Sequence, residues 1–468
     1  MTLLMSRSKM GKKLALIFIL FLAACLGRVP GAVAFDEKQI KVLTLEDAWR
    51  IALEKNKDIQ KAREYKNQVE GRYVEERSAA LPQLQITGMI VHDRDESLRA
   101  YSSGAFSGKN LGNAGIKLPS FDVFPLEKEA RTAEIGLSQA LYTFGRIGAA
   151  IRAAKVGLAT AEDQLRIFRQ AALRDVSAAF YDILLARDLS ALAQQNLEQK
   201  NRHLDEARRK FAAGVATEYD VLASEVAVEN ARPDMIRTEN LIRTSRDKLR
   251  FLLGIDEQVD VTGKLEAPLA PHPQYEEAFR IALKGRPELS DLRKRVEMGK
   301  ELVKIYDAGN MPRVDLKAAW GWRQLVFNPS EGDGQEWSAG LYFTFPFFDG
   351  LRTRGKVIQA KSDVANLQID EGKLKDSIAL QTRDAVNAYR ESSEIVKALS
   401  GTVKQAEKLL SMAEKGYEFG VKTKLEVDDA QLSLIQARGN LSKARRDYLV
   451  AQVTYEWVIG RLGNGFSQ

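Results

Sequence analysis

Phe211-Ala212-Ala213-Gly214-Val215-Ala216-Thr217 and Tyr417-Glu418-Phe419-Gly420-Val421-Lys422-Thr423 are one motif written twice, 206 residues apart. The same shift carries Ala231-Arg232 onto Ala437-Arg438 and Gly254 onto Gly460. Upstream, Ala48-Trp49-Arg50-Ile51-Ala52-Leu53 matches Ala278-Phe279-Arg280-Ile281-Ala282-Leu283, and Leu81-Pro82 matches Met311-Pro312, at a shift of 230. The chain is therefore a duplication, and the drop of 24 in the shift places an insertion in the first copy. It falls in 95–132, a glycine-rich polar stretch that reads as a long exposed loop. Copies of about 200 residues are far too long for a solenoid. The organisation read from this is a leader over 1–34 (or 1–24), a first repeat over 35–265 and a second over 266–468.

Between motifs, each copy has the same layout. A helix of about 35 residues runs to the x-Pro pair, where the pre-proline residue leaves the α region. Two extended runs follow, then a very long helix, a glycine turn and a returning helix. The stretches Ile147 to Ala212 and Thr353 to Glu418 are each 66 residues without proline, about 100 Å if continuous. No globular core is that deep, so they must be rods packed side by side. Val176, Ile183, Ser190, Leu197, Leu204 and Phe211 recur every seven residues, with Ala179, Ala186, Ala193 and Ala207 between them. Tyr389, Val396, Val403, Leu410 and Tyr417 repeat the pattern, which suits seams of closely approaching helices. An amphipathic helix in a globular bundle is the alternative, although such helices seldom pass about 25 residues. Pro233 interrupts the first returning helix and has no counterpart in the second, so the first is expected to kink.

The extended runs alternate. Val314, Leu316, Ala318, Trp320 and Trp322 face away from Asp315, Lys317, Ala319 and Gly321; Trp337, Ala339, Leu341, Phe343 and Phe345 face away from Ser338, Gly340, Tyr342 and Thr344. The first copy has runs from Leu84 onward and from Ile135 to Leu141. Strands of about ten residues, apolar on one face and small or polar on the other, fit a transmembrane barrel or a half-buried antiparallel sheet. Four strands cannot close a barrel, so strands in lipid demand an oligomer; two, three or four copies would give 8, 12 or 16 strands. Trp320, Trp322 and Trp337, with Phe343 and Phe345, read as a lipid-facing aromatic girdle, or else as an oligomer contact.

Composition narrows the function. The 468 residues are 45% hydrophobic and 28% charged, with one cysteine and three histidines. That excludes a disulfide framework within the chain and leaves little for a zinc site. No Ser/His/Asp set or phosphate loop is present, so no enzyme, cofactor or metal is expected. The +7 net charge is mostly local to the amino end. Arg7, Lys9, Lys12 and Lys13 precede the apolar run Leu14 to Leu26, and Pro30-Gly31 leads to Ala32-Val33-Ala34, a signal-peptide pattern. Cleavage there leaves +2 and removes the main support for a nucleic-acid partner. Leu22-Ala23-Ala24-Cys25 also resembles a lipobox, in which Cys25 would be acylated and cleavage would leave +3.

The leader, the duplicated helix-strand-strand-helix layout, the two x-Pro junctions and the paired aromatic-x-x-Gly-x-x-Thr turns together resemble the TolC-like outer-membrane efflux protein family, from about Leu45 to Gly460. The resemblance implies a mainly α fold with a small transmembrane β part. In such a homotrimer four strands per protomer make a 12-stranded β-barrel, continued by a long periplasmic α-helical barrel. It implies location in the bacterial outer membrane with a large periplasmic portion. The implied function is a passive exit duct, docking a periplasmic adaptor (membrane fusion) protein and an inner-membrane transporter. The rival reading is a periplasmic coiled-coil tether without channel activity.

By the same resemblance, the turns at Gly214, Val215 and Thr217 and at Gly420, Val421 and Thr423 form the periplasmic tip and its adaptor contact. Glu426 and Asp429 match pore-facing acids; Tyr417, Lys422 and Asp220 match residues that hold the tip shut. Lysine stands at 422 where arginine is common, which removes the bidentate fork. Other roles compete. Thr423-x-x-Glu426 is a capping box and Thr217-x-x-Asp220 nearly one, so Glu426 and Asp220 can serve as helix caps. Lys422 can pair locally with Glu426. No capping pattern explains Asp429.

Overall fold

The computed structural model describes residues 40–94, 127–266, 268–327 and 330–466; the leader, Cys25 and residues 95–126 of the expected loop lie outside these. The first repeat runs β1 (Lys41–Leu43), α1 (Leu45–Lys55), α2 (Lys57–Ser78), β2 (Gln83–Arg94), β3 (Glu127–Tyr142), α3 (Arg146–Ala212), α4 (Glu218–Leu253) and β4 (Val259–Val261). The second runs α5 (Tyr275–Gly285), α6 (Pro287–Asp307), β5 (Arg313–Phe327), β6 (Ser330–Thr344), α7 (Arg352–Glu418) and α8 (Lys424–Val458).

Both rods are continuous, at 67 residues each, about 100 Å. Val176, Ala179, Ile183, Ala186, Leu204 and Ala207 of the expected seam are buried in α3. Phe211, at its end, is 49% exposed. α4 continues through Pro233 as one helix.

The opening helix of about 35 residues is corrected: it is two helices, of 11 and 22 residues in the first copy. Asn56 ends α1 with extended ψ and then caps α2, accepting from the Asp58 and Ile59 amides. The second copy breaks at Arg286, ahead of Pro287 at the first turn of α6. The break is where the returning helix ends against it. Gly254 and Gly460 sit at φ +70° and +73°; a Cβ on Gly254 would lie 2.4 Å from the Lys55 carbonyl oxygen, and one on Gly460 2.6 Å from the Gly285 carbonyl. Asn56 Nδ2 also donates to the Leu252 carbonyl at 2.7 Å.

The extended runs are longer than ten residues, 12 to 16 each, and β3 begins at Glu127, inside what reads as loop. They form one antiparallel sheet in the order β2-β3-β5-β6, which leaves β2 and β6 as edges. A parallel pair of three-residue strands, β1 with β4, is an element the sequence reading lacked. It anchors a core of Leu43, Val259 and Val261 against Val176, Ile183, Leu249 and Leu253.

The helices are ordered as the strands are. Next to the sheet α2 packs on α3, α3 on α6 and α6 on α7; toward the glycine turns α4 packs on α3, α3 on α8 and α8 on α7. Each strand is thus joined in sequence to the helix occupying the same place in the row, β2 and β5 following α2 and α6, and β3 and β6 preceding α3 and α7. The result is a four-membered slab, first β and then α, with free edges on both sides.

Candidate functional site

The register sorts the sheet into two faces. On one, Ile86, Ile135, Trp320 and Trp337 make a cross-strand row, with Leu84, Leu137, Ala318 and Ala339 beside it. Leu316 with Leu341 and Val314 with Phe343 extend this face toward the helices. Ile86 is 83% exposed and Trp337 76%. On the other face the rows are Gln85, Gly136, Ala319, Ser338 and Thr87, Glu134, Gly321, Glu336. There Arg323 pairs with Glu336 at 2.7 Å.

The apolar face ends at both sides in aromatics. Phe343 and Phe345 stand at the helix end of β6, while Trp320, Trp322 and Trp337 stand toward the far end. Beyond Trp322 the same face turns mainly polar: Ile90, Arg131, Gln324 and Asp333 share a row, followed by His92, Glu129, Val326 and Glu331. Val314 to Trp322 is about 26 Å along a strand and less once strands tilt, the scale of a barrel's apolar band of about 25 Å. The x-Pro stops, the alternation and the aromatics all point at this arrangement, and its polar rim explains why the strands outrun their apolar pattern.

At the opposite end each rod closes in a left-handed glycine. Gly214 is at φ +76° and Gly420 at φ +72°, with Val215 N donating to Lys210 O at 3.0 Å and Val421 N to Gly416 O at 2.8 Å, the pattern that satisfies a helix's last carbonyls. Thr217 and Thr423 then cap α4 and α8 through complete capping boxes with Asp220 and Glu426. The hydrogen bonds from the Thr217 amide and hydroxyl hold the Asp220 carboxyl below its usual range. Lys422 Nζ lies 2.5 Å from Glu426 Oε1. That bond first, and the Thr423 amide second, pull Glu426 down to about 2.

The residues expected to fasten the tip are placed differently within one protomer. Tyr417 accepts from Lys210 Nζ at 3.4 Å, and Lys210 is itself paired with Glu206 at 2.8 Å; Asp220 and Lys422 are engaged in their own turns. Lys210 is a residue the motif comparison did not flag, since it precedes the repeated turn. Asp429 is exposed one turn into α8. Val215, Tyr219, Phe419, Val421 and Leu425 leave an apolar apex, each at least 69% exposed. Among the described residues no cluster could hold a metal ion, and no helix is long and apolar enough to cross a membrane.

The sequence profile of a family described as outer membrane efflux protein matches residues 49–255 and 279–461. The chain is 23% identical over 363 residues to outer membrane protein TolC of Vibrio cholerae, covering 75% of this chain and 81% of that protein. It is 26% identical over 308 residues to the alkaline protease secretion protein AprF of Pseudomonas aeruginosa, covering 64% of each. Among solved structures, the CmeC outer membrane channel of Campylobacter jejuni superposes with a TM-score of 0.75 at 15% identity, over 89% of this chain and 85% of that one. The open state of the MtrE outer membrane channel of Neisseria gonorrhoeae gives 0.71 at 18% identity, over 89% of each.

Proposed function

Because the chain belongs to the outer membrane efflux protein family, we propose that three copies close into a single duct. Its 12-stranded barrel lies in the outer membrane and its helical barrel reaches through the periplasm. The carrying observation is the slab with two free edges. β2 and β6 each present a row of unpaired backbone groups beside an apolar face, and in lipid each unpaired group costs several kcal/mol. Pairing β2 of one copy with β6 of the next removes both edges.

The duplication supports the same closure in the helices. α3 packs on α6 and α8 of its own chain. The repeat-equivalent contact sets α7 against α2 and α4 of a neighbouring copy. α7 carries a second, exposed stripe for it, Ile395, Ala398, Thr402, Gln405, Leu409 and Met412, one position before the stripe that packs on α8. α4 offers Leu222, Val226, Pro233 and Ile236, all exposed.

In this reading the polar sheet face lines the lumen, and the aromatics at both ends of the other face sit at the two membrane interfaces. The duct is passive. The Gly214 and Gly420 turns, with their apolar apex, dock a periplasmic adaptor that couples the duct to an inner-membrane transporter and opens the tip. Asp429 from three copies forms the constriction's charge. Purified protein in planar bilayers is expected to conduct, with a preference for cations that falls on Asp429→Ala. A preparation that inserts and never conducts overturns the reading.

A further inference from the structure

The duplication lets each side chain be compared with its counterpart in the other half. At the shift of 230 Arg63 of α2 corresponds to Arg293 of α6, and at the shift of 206 Arg169 of α3 corresponds to Lys375 of α7. In the second half one carboxylate serves both cations: Glu371 lies 3.1 Å from Arg293 and 2.8 Å from Lys375. These bonds, that from Lys375 first, hold the Glu371 carboxyl below its usual range. The counterpart of Glu371 is Leu165, which is buried in an apolar cluster with Ile59, Ala62 and Ala172. The first half therefore keeps the two cations and lacks their anion.

Arg63 and Arg169 line a cavity of about 1280 Å³ between α1, α3 and the segment that follows α8. Arg63 Nη2 donates to the Leu53 carbonyl at 2.7 Å. Burial first, and the Arg63 charge second, push the Arg169 guanidinium below its usual value, as two like charges with no acid between them require. Among the described residues neither has a carboxylate partner. Arg166, whose counterpart is Gly372, adds a third guanidinium to the lining. Its contact with Asp163 is 3.5 Å long, and Asp163 is held at 2.7 Å by Lys294. The acids of the lining belong to α1: Asp47 is taken up by Arg50 and the Thr44 cap, while Glu46 and Glu54 make the cavity unfavourable to a polyanion.

We propose that this cavity is a binding site for a single carboxylate carried by a peptide, which takes between Arg63 and Arg169 the place that Glu371 takes between Arg293 and Lys375. Guanidinium groups suit the role because each offers parallel N–H donors to a carboxylate. Arg169 lies about 35 Å along α3 from its start at Arg146 beside the sheet. That is far outside a headgroup layer about 5–8 Å deep, so lipid phosphate does not reach it. Most of the lining comes from α1, α3 and the segment after α8, none of them an edge of the row, so joining copies at the edges leaves the cavity open. The site is complete within one chain and stands or falls apart from the duct reading.

The test is fluorescence anisotropy with the purified full chain, using a labelled, end-blocked tripeptide with a central glutamate and its counterpart with a central glutamine. The glutamate peptide is expected to saturate at one per chain and to bind about tenfold tighter than the glutamine peptide. Arg63→Gln and Arg169→Gln, both outside the apolar cluster, should each lower that affinity about tenfold. Leu165→Glu, which gives the first half the carboxylate of the second, should block binding. Equal binding of the two peptides, or unchanged affinity in Arg63→Gln and Arg169→Gln, overturns the inference. So does displacement of the glutamate peptide by inorganic phosphate at a lower concentration than by acetate, which would assign the site to phosphate.

Discussion

Lys422 Nζ sits 2.5 Å from one oxygen of Glu426, whose other oxygen accepts from the Thr423 amide at 2.8 Å. Both oxygens are thus occupied within the turn. A carboxylate so engaged contributes little field to a pore axis, because its counter-charge is only one helical turn away. Asp429, one turn on, has no such neighbour in its turn, so in the trimeric duct proposed above its three copies would carry the negative charge of the constriction.

Reversal potentials in a salt gradient check this. Asp429→Asn is expected to remove most of the cation preference, and Glu426→Gln little of it. Lys422→Ala should raise the preference, because it frees Glu426 to act at the axis.

The Glu426 cap is expected to survive acid that titrates ordinary carboxylates. Its pKa is depressed, so its contribution is present above the unfolded value of about 4.5 and is lost only as pH falls through about 2. Chemical shifts of the Thr423 and Glu426 amides should stay unchanged to about pH 3.5 in the native protein, and move near that pH in Lys422→Ala.

Alanine at Gly254 or Gly460 should be costly, and at Gly214 mild. All three need positive φ, worth about 1 kcal/mol against alanine. At Gly254 and Gly460 the new methyl also strikes backbone at 2.4 and 2.6 Å, whereas nothing lies within 4 Å at Gly214. Thermal unfolding should show Gly254→Ala and Gly460→Ala destabilised by about 3 kcal/mol or more, well beyond Gly214→Ala.

Neighbouring alanines distinguish the sheet's faces. Ala318 stands in the apolar row with Leu84, Leu137 and Ala339, and Ala319 in the row with Gln85 and Ser338. Arginine on a lipid face costs about 2–4 kcal/mol near mid-depth. Ala318→Arg should therefore depress outer-membrane assembly, and Ala319→Arg should leave assembly intact while lowering conductance.

The parts legible in the sequence are those set by long-range pattern. Two proline-free runs between repeated glycine turns give the rods to within a residue, and alternation around Trp320 and Trp337 gives the strand faces. What escaped is set by contacts distant in sequence. Asn56 and Arg286 split the opening helices because Gly254 and Gly460 press against them, which no local propensity announces, although Arg286-Pro287 marks a helix start. Three-residue strands such as Lys41–Leu43 and Val259–Val261 carry no periodicity. The strand ends went unread because Arg131 and Glu129 rise above the apolar band. At the tip, Lys210 escaped because it meets Tyr417, 207 residues on, only where the ends of α3 and α7 come within reach in the folded chain.

Closure of the slab between copies sets the lumen, the membrane band and the tip together, and the mass of the complex extracted from outer membranes tests it. Detergent is expected to be needed for release, and the particle to contain three chains. A monodisperse single chain, or release by salt or alkali alone, would contradict it.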